Sequence, residues 1–247
     1  MGRLAVARWQ ALSLAVALLA WETAVRFGFL DPLFVPAPSA VLRALPGLAV
    51  DALPRLLDTF GKTALGYALA AAVGVPAGLA LGSRRLLHDV AMPYVVALYG
   101  VPKVLILPWI ALVFGIGLTT AVLSAAVFAL FPIVVLVAAG TRDVDPTLIT
   151  VAVSMGATRA QIGRKVLLPA VLPAVLAALR VAIVFAILGV LLAEMLAGHR
   201  GMGYLMQRQA VAFKAPELFA ATAIVSALSV SVVLLLEHMN RRLGRWR

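Results

Sequence analysis

Six long apolar runs, separated by charged or turn-forming residues, dominate the pattern of this 247-residue chain. A helix that crosses a bilayer needs about 20 mostly apolar residues, and each run is long enough. The uncharged stretch from Val104 to Thr141 is too long for one span, and Gly115-Ile116-Gly117 is its natural break. We therefore predict an all-α, polytopic membrane protein with a single domain over residues 1–247, whose spans cover about 9–29, 63–83, 90–114, 119–140, 174–197 and 218–236.

Composition supports a membrane protein and excludes several other classes. Hydrophobic residues make up 64% of the chain and charged residues 13%, whereas soluble domains have about 45–50% and about 25%. Such a chain lacks the polar residues needed to cover a soluble surface, and it is too apolar to be disordered. It has no cysteine, which excludes disulfides, Cys-ligated metal sites and a thiol nucleophile.

The net charge of +11 comes from basic residues at the ends of the apolar runs, which disfavours nucleic-acid binding as its explanation. Basic residues are enriched in cytoplasmic loops. With six spans, one side of the membrane holds most of them, including both termini, so we expect both termini in the cytoplasm. An uncleaved first span is favoured over a signal peptide, because Trp21-Glu22-Thr23 stands where a cleavage site needs small residues. The basic residues on the side predicted to be cytoplasmic are Arg3, Arg8, Arg84, Arg85, Arg142, Arg159, Arg164, Lys165, Arg241, Arg242, Arg245 and Arg247.

The segment over residues 141–173 is the longest one predicted on the cytoplasmic side. Leu148, Val151, Ala152 and Met155 recur at steps of three and four residues and end at Gly156, which predicts a short amphipathic helix with a glycine stop. Residues 157–168 are again compatible with a helix, and Pro169 and Pro173 are expected to interrupt the chain before the fifth span. A helical hairpin at the membrane surface suggests a docking site, and a helix lying on lipid is the alternative.

Two features of the second span concern packing and a motif. Small residues recur there every four positions and lie along one face, which predicts close packing on another helix of the bundle or of a dimer. The span opens with Gly61-Lys62-Thr63, which is similar to the end of a phosphate-binding loop. That loop needs a glycine where Leu56 stands, so we predict that the chain has no ATPase site of its own. The small residues are Gly66, Ala70, Gly74, Gly78 and Gly82.

Three charged residues inside the predicted spans are candidate pathway or intramembrane polar residues, namely Glu22, Lys103 and Glu194. The two glutamates are placed near span ends, where they can reach water or pair with a neighbour such as Arg26 or Arg200. Lys103 lies well inside its span, although its long side chain can also extend toward water. The three histidines are scattered and no catalytic or metal-binding set is visible, so we predict no catalytic residue, no metal and no enzyme activity of the chain.

The loop over residues 141–173 resembles the EAA loop of bacterial ABC-importer permeases, in which E-A-A, three residues and G are followed after nine residues by I-x-L-P. The spacing matches without a gap, and the resemblance extends over nearly the whole chain toward the nitrate, sulfonate and taurine branch. Thr150 stands where that family usually has glutamate. The matching segments are Phe34-Val35-Pro36-Ala37-Pro38-Ser39, Val101-Pro102-Lys103-Val104, Phe114-Gly115-Ile116-Gly117, Val144-Asp145-Pro146, Thr150 to Ala157, Val166-Leu167-Leu168-Pro169 with Pro173, Ala193-Glu194-Met195-Leu196 and Gly201-Met202-Gly203-Tyr204.

The resemblance implies a type I importer in the bacterial inner membrane. It implies two copies of the permease, two ATP-binding subunits that bind ATP and Mg²⁺, and a periplasmic solute-binding protein, with no cofactor in this chain. The helix that ends at Gly156 would be the coupling helix, and the solute would be a small anion of the sulfonate, taurine or nitrate class. The residues implied in ATPase coupling are Ala152, Gly156, Ala157, Val166, Leu168, Pro169 and Pro173.

Other functions remain as alternatives. An importer of the same family could carry a pyrimidine vitamin precursor instead of an anion. A carrier driven by an ion gradient would need ionisable residues near the middle of the membrane, where only Lys103 is expected, and would be favoured by an internal repeat, which is not evident. An intramembrane enzyme is disfavoured because its catalytic residues are missing.

Overall fold

The computed structural model describes residues 3–243, and these residues form helices joined by short connections, with no strand among them. This confirms the all-α prediction. Two of the helical segments are a 3₁₀ turn over Lys103–Ile106 and a π-helical turn over Gly163–Leu167. The α-helices are α1 (Arg3–Arg26), α2 (Pro38–Ser83), α3 (Arg85–Gly100), α4 (Leu107–Phe114), α5 (Leu118–Arg142), α6 (Pro146–Ser154), α7 (Arg159–Ile162), α8 (Leu168–Ala197), α9 (Met202–Val211) and α10 (Ala215–Leu243).

Within the described residues, four helical segments are long and apolar enough to cross a membrane, and a bent pair makes a fifth if it counts as one span. The count reaches the six expected spans only if α1, which lies at the position of the first expected span, is added to these five. α1 has 24 residues, or about 36 Å. The four segments are Pro38–Ser83, Leu118–Arg142, Arg159–Ala197 and Ala215–His238.

The third expected span, 90–114, is not one helix. α3 ends at Gly100, and the helical segment Lys103–Phe114 continues at an angle of 84°. Val101 and Pro102 are extended, as expected where proline disfavours the α conformation of the residue before it and supplies no N–H. The sequence showed Pro102, but the uninterrupted hydrophobicity around it suggested a straight helix.

Two other helices are longer than expected. α2 begins at Pro38 instead of residue 63, so most of the expected first outer loop is helical, and α2 continues through Pro54 and Pro76. α8 begins at Leu168 instead of residue 174. Pro169 lies in the first turn of α8, directly after the π-helical turn Gly163–Leu167, so the chain stays helical through this proline instead of being interrupted by it. Pro173 also lies inside α8.

The main core is formed by α2, α5 and α8. The small residues of α2 face α5, and a Cβ added at Gly74 or Gly78 would lie 2.9 Å from Ile133 Cγ2 or 2.7 Å from Val137 Cβ. Gly66 and Gly82 approach Ala125 and Thr141 in the same way, and Ala70 belongs to the same core. The stripe therefore packs on α5 of the same chain. A second cluster joins the first half of α2 to α9 and α10.

Candidate functional site

The surface hairpin, which we define as residues 145–162, is built from two short capped helices. Asp145 caps α6, since its Oδ1 accepts a hydrogen bond from the Thr147 N–H at 2.9 Å. This backbone hydrogen bond keeps the pKa of Asp145 below its usual value. At the start of α7, Thr158 and Gln161 form a reciprocal capping box with distances of 2.8 and 3.3 Å. Both helix starts are therefore held by side chains.

The turn between the two helices depends on Gly156. Its φ is +76°, a conformation that side chains other than glycine rarely adopt. The Ala157 N–H donates to the Ala152 carbonyl at 3.0 Å, and the Gly156 N–H donates to the Val153 carbonyl at 2.9 Å. These bonds satisfy carbonyls that the end of α6 would otherwise leave free. The hairpin is therefore a defined structure and not a loose loop.

The larger apolar side chains of α6, and that of Met155 directly after it, are exposed. Met155 is 81% exposed and Val153 is 58% exposed. Neighbouring apolar side chains at Leu148 and Val151 are exposed as well. A contiguous apolar surface on a rigid element is typical of an interaction site.

The remaining residues that the sequence places in this region lie beside the hairpin. Val166 is half-buried in the π-helical turn, and Leu168 and Pro169 are exposed at the start of α8. Pro173 is exposed one turn further along α8. Ala152 and Ala157 are half-buried. The structure thus brings α6 and the start of α8 into one region, which it joins to the core through α8.

A second site, the polar cluster, lies near the opposite end of α8. We define it as Asp58, Thr59, Lys62, Glu194, Met202 and Gly203. Glu194 is 26 residues beyond Leu168, or about 39 Å along the helix. Glu194 as a whole residue is 2% exposed. The cluster therefore places a charged group deep inside the protein.

Every oxygen of the Glu194 carboxylate has a partner. Lys62 Nζ lies 2.9 Å from Oε1, and the Gly203 N–H donates to Oε2 at 2.9 Å. The Thr59 hydroxyl is 2.8 Å from Oε2 and accepts a hydrogen bond from the Met202 N–H, also at 2.8 Å. Lys62 Nζ is also 2.5 Å from Asp58 Oδ2. The cluster joins α2, α8 and the start of α9 by charge-assisted hydrogen bonds.

The expected partner of Glu194 was wrong. Its ion-pair partner is Lys62 on α2, and it is buried instead of standing at an exposed helix end. Arg200 is exposed and lies at the rim of an adjoining cavity of about 220 Å³, into which Asp58, Lys62 and Glu194 also face. Glu194 is buried because of the turn after α8. Gly201 in this turn has a φ of +95°, which lets the start of α9 pack against the Glu194 carboxylate.

The other two charged candidates lie elsewhere. Glu22 pairs with Arg26 at 2.7 Å, and its carboxylate also accepts hydrogen bonds from the Ser39 N–H and hydroxyl at 3.0 and 2.8 Å. Glu22 therefore joins α1 to the start of α2. Lys103 stands at the break after α3, where its Nζ donates to the Tyr99 carbonyl at 2.9 Å and lies 4.4 Å from the centre of the Tyr99 ring.

Sequence reasoning missed Asp58, Thr59 and Lys62 as site residues. Lys62 was considered only as part of an incomplete phosphate-binding motif. A signal was present in the spacing of Asp58 and Lys62, because residues four apart share a helix face and form ion pairs. The pairing of Lys62 with Glu194 joins residues 132 positions apart, and no local pattern indicates such a contact.

A bundle of long apolar helices with a rigid surface hairpin defines a polytopic membrane protein. The family described as binding-protein-dependent transport system inner membrane component matches residues 70–245 of this chain. The taurine transport system permease protein TauC of Escherichia coli is 31% identical over 241 residues, which cover 95% of this chain and 88% of that protein. The riboflavin transport system permease protein RibX of Chloroflexus aurantiacus is 30% identical, with 96% of this chain and 91% of that protein covered.

The chain belongs to this family of inner membrane components of binding-protein-dependent transport systems, and its resemblance to ABC-importer permeases is confirmed. Its fold is also similar to a solved structure of the MetNI methionine ABC transporter in an inward-facing conformation. The TM-score is 0.66 at 24% identity, and the match covers 80% of this chain and 95% of that one.

Proposed function

We propose that the chain is the translocation subunit of an importer for a small anionic solute, and that α6 is the helix through which a separate ATP-binding subunit drives transport. The observation that carries this proposal is the exposed apolar surface of α6 on a hairpin that is capped at both helix starts. Exposed apolar side chains on a rigid element gain free energy when a partner covers them.

The proposed assembly follows from the family. Two copies of this chain form the pathway, two ATP-binding subunits bind ATP and Mg²⁺ below them, and a periplasmic protein delivers the solute. Both termini lie in the cytoplasm, as the distribution of basic residues favours. The chain itself has no enzymatic step, and the closure of the ATP-binding subunits supplies the free energy.

Motion of the hairpin reaches the membrane through α8. Residues Arg159–Ala197 form one apolar helical stretch, so a displacement at α7 moves the cytoplasmic end of α8. α8 packs closely on α5, where a Cβ added at Gly189 would lie 2.7 Å from the Ser124 carbonyl oxygen. The helices therefore shift as a packed unit between two arrangements. Glu22 and Glu194 hold helices together in this scheme and do not contact solute.

The solute class is proposed from relatives and from charge. The similarity to a taurine permease favours a sulfonate, and similarity to a riboflavin permease favours a vitamin or vitamin precursor as the second candidate. Lys103 has no carboxylate partner among the side chains that the structure describes, and an unpaired cation in the membrane region favours the anion.

Reconstitution of the complex isolated with this chain tests the proposal. Proteoliposomes that contain ATP on the ATPase side should accumulate taurine, methanesulfonate or nitrate when the binding protein is supplied, and ionophores should not prevent it. Accumulation that needs an ion gradient and no ATP would contradict the proposal and favour a secondary carrier. Uptake of riboflavin alone would contradict only the solute class.

A pair of variants tests the coupling role proposed for the surface hairpin. Gly156→Asp and Gly156→Asn have similar size, and both residues tolerate positive φ better than most. A Cβ at this position meets nothing within 4 Å, so both chains should fold. The aspartate should abolish ATP-dependent uptake because it adds a charge to an apolar contact, whereas the asparagine should retain a measurable part. Equal, normal uptake by both would count against docking at this turn.

A further inference from the structure

Lys103 places a positive charge near the middle of the membrane. Its Nζ lies 5.7 Å from the centre of the Phe131 ring. Phe131 follows the first residue of α5 by 13 positions and precedes the last by 11, or about 20 Å and about 17 Å along the helix. Because α5 crosses an apolar layer about 30 Å thick, this ring marks its central part.

No carboxylate in the described part of the chain forms an ion pair with Lys103. Among the side chains that the structure describes, the ion pairs involve Lys62, Arg26 and Arg85, but not Lys103. The Tyr99 carbonyl accepts one hydrogen bond from Nζ, and an ammonium group has three donors. Two donors remain for a further partner, beside the aromatic faces of Tyr99 and Phe131.

The backbone at Lys103 is irregular at the same depth. α3 ends at Gly100, Val101 and Pro102 are extended, and the chain turns by 84°. Irregular backbone within a bilayer is stable only where protein covers it or where it lines an aqueous space. Val101 and Val104 are exposed in the single chain, so this break faces either another protein surface or a water-filled passage. Broken helices of this kind form substrate sites in transporters.

We infer that Lys103 binds the anionic group of the solute midway through the membrane, in a site whose walls include Tyr99 and Phe131. The ligand class is a small oxyanion, such as a sulfonate, a nitrate or a carboxylate, whose oxygens accept the two remaining N–H donors. The inference rests on the proposed import function. The competing explanation is a structural lysine that only caps the carbonyl end of α3.

The test compares uptake with ATP hydrolysis in the reconstituted complex, with taurine, methanesulfonate and nitrate as probes at saturating binding protein. Lys103→Met and Lys103→Gln should lower the anion taken up per ATP at least tenfold, whereas ATP hydrolysis persists. Lys103→Arg, which retains the charge, should keep at least half of the uptake. Lys214→Met, in an exposed connection outside the break, is the matched control and should resemble the unchanged chain.

Several results would overturn the inference. Uptake per ATP within twofold of the unchanged complex in Lys103→Met would show that no anion depends on this charge. The lysine would be structural if uptake and ATP hydrolysis were lost in parallel. It would also be structural if the Lys103→Arg complex assembled and the Lys103→Met and Lys103→Gln complexes did not. ATP-dependent uptake of riboflavin and of none of the three anions would contradict an anionic solute at Lys103. If the unchanged complex shows no ATP-dependent uptake at all, the proposed function fails, and the inference fails with it.

Discussion

Replacing Lys62 with methionine should destabilise the protein strongly, because it leaves Glu194 buried and without its cation. The Lys62 and Glu194 side chains are 10% and 1% exposed, and their charged atoms are 2.9 Å apart. Removal of one partner of such a buried pair costs about 3–5 kcal/mol. For a domain of this size, about 2–4 °C of melting temperature correspond to each kcal/mol, so we expect a decrease of about 6–20 °C.

The assay is thermal unfolding of the purified chain in one detergent, followed by tryptophan fluorescence. Arg85→Met is the matched control, because the Arg85–Asp89 pair is 3.8 Å long and both side chains are well exposed. An exposed pair contributes about 0–1 kcal/mol. The double variant Lys62→Met with Glu194→Gln should regain part of the loss, since it removes the unpaired charge and keeps hydrogen-bonding capacity. Equal shifts for Lys62→Met and Arg85→Met would refute the reasoning.

Other predictions concern helix packing and the surface hairpin. Gly78→Ala should lower the unfolding free energy by about 1–3 kcal/mol, because the added methyl group overpacks the contact with α5. Gly47→Ala on the same helix, where a Cβ meets nothing within 4 Å, should be neutral or stabilising in the same melting assay. Equal effects of the two substitutions would contradict the packing of the stripe. Asp145 has a pKa lowered by the Thr147 N–H, so its contribution to α6 is present above its unfolded pKa and is lost as the pH falls through the lower folded value. Hydrogen exchange of the peptide that begins α6, corrected for the intrinsic rate, should therefore increase as the pH falls below the ordinary pKa of aspartate, about 3.9, and through the lower folded value. Asp145→Asn, which caps without titrating, should remove that dependence, and the same pH profile in both chains would contradict it.

Features set by local sequence were predictable. The turn at Gly156 follows from an amphipathic repeat that ends at a glycine, and the structure gives that glycine a φ of +76°. The four-residue spacing of Gly66, Gly74 and their neighbours indicates a close helix contact, although spacing alone does not identify α5 as the partner. In both cases a short segment contains the relevant physical information.

Features set by distant residues were not predictable. The pair of Lys62 and Glu194 depends on how α2, α8 and α9 pack. The hydropathy pattern instead placed Glu194 near a span end, where its side chain can reach water. The break after α3 depends on whether neighbouring protein stabilises an extended Val101-Pro102 within the membrane. Hydrophobicity is similar on both sides of this break, so the sequence pattern favoured one straight span.

The most direct test of an ATP-driven permease is a pull-down of the tagged chain from detergent-solubilised native membranes, with the subunits identified by mass and ATP hydrolysis measured. We predict that an ATP-binding subunit is recovered with the unchanged chain and with Gly156→Asn, and that it is lost with Gly156→Asp. Recovery of the chain alone, in a form that still transports in proteoliposomes without ATP, would contradict the account.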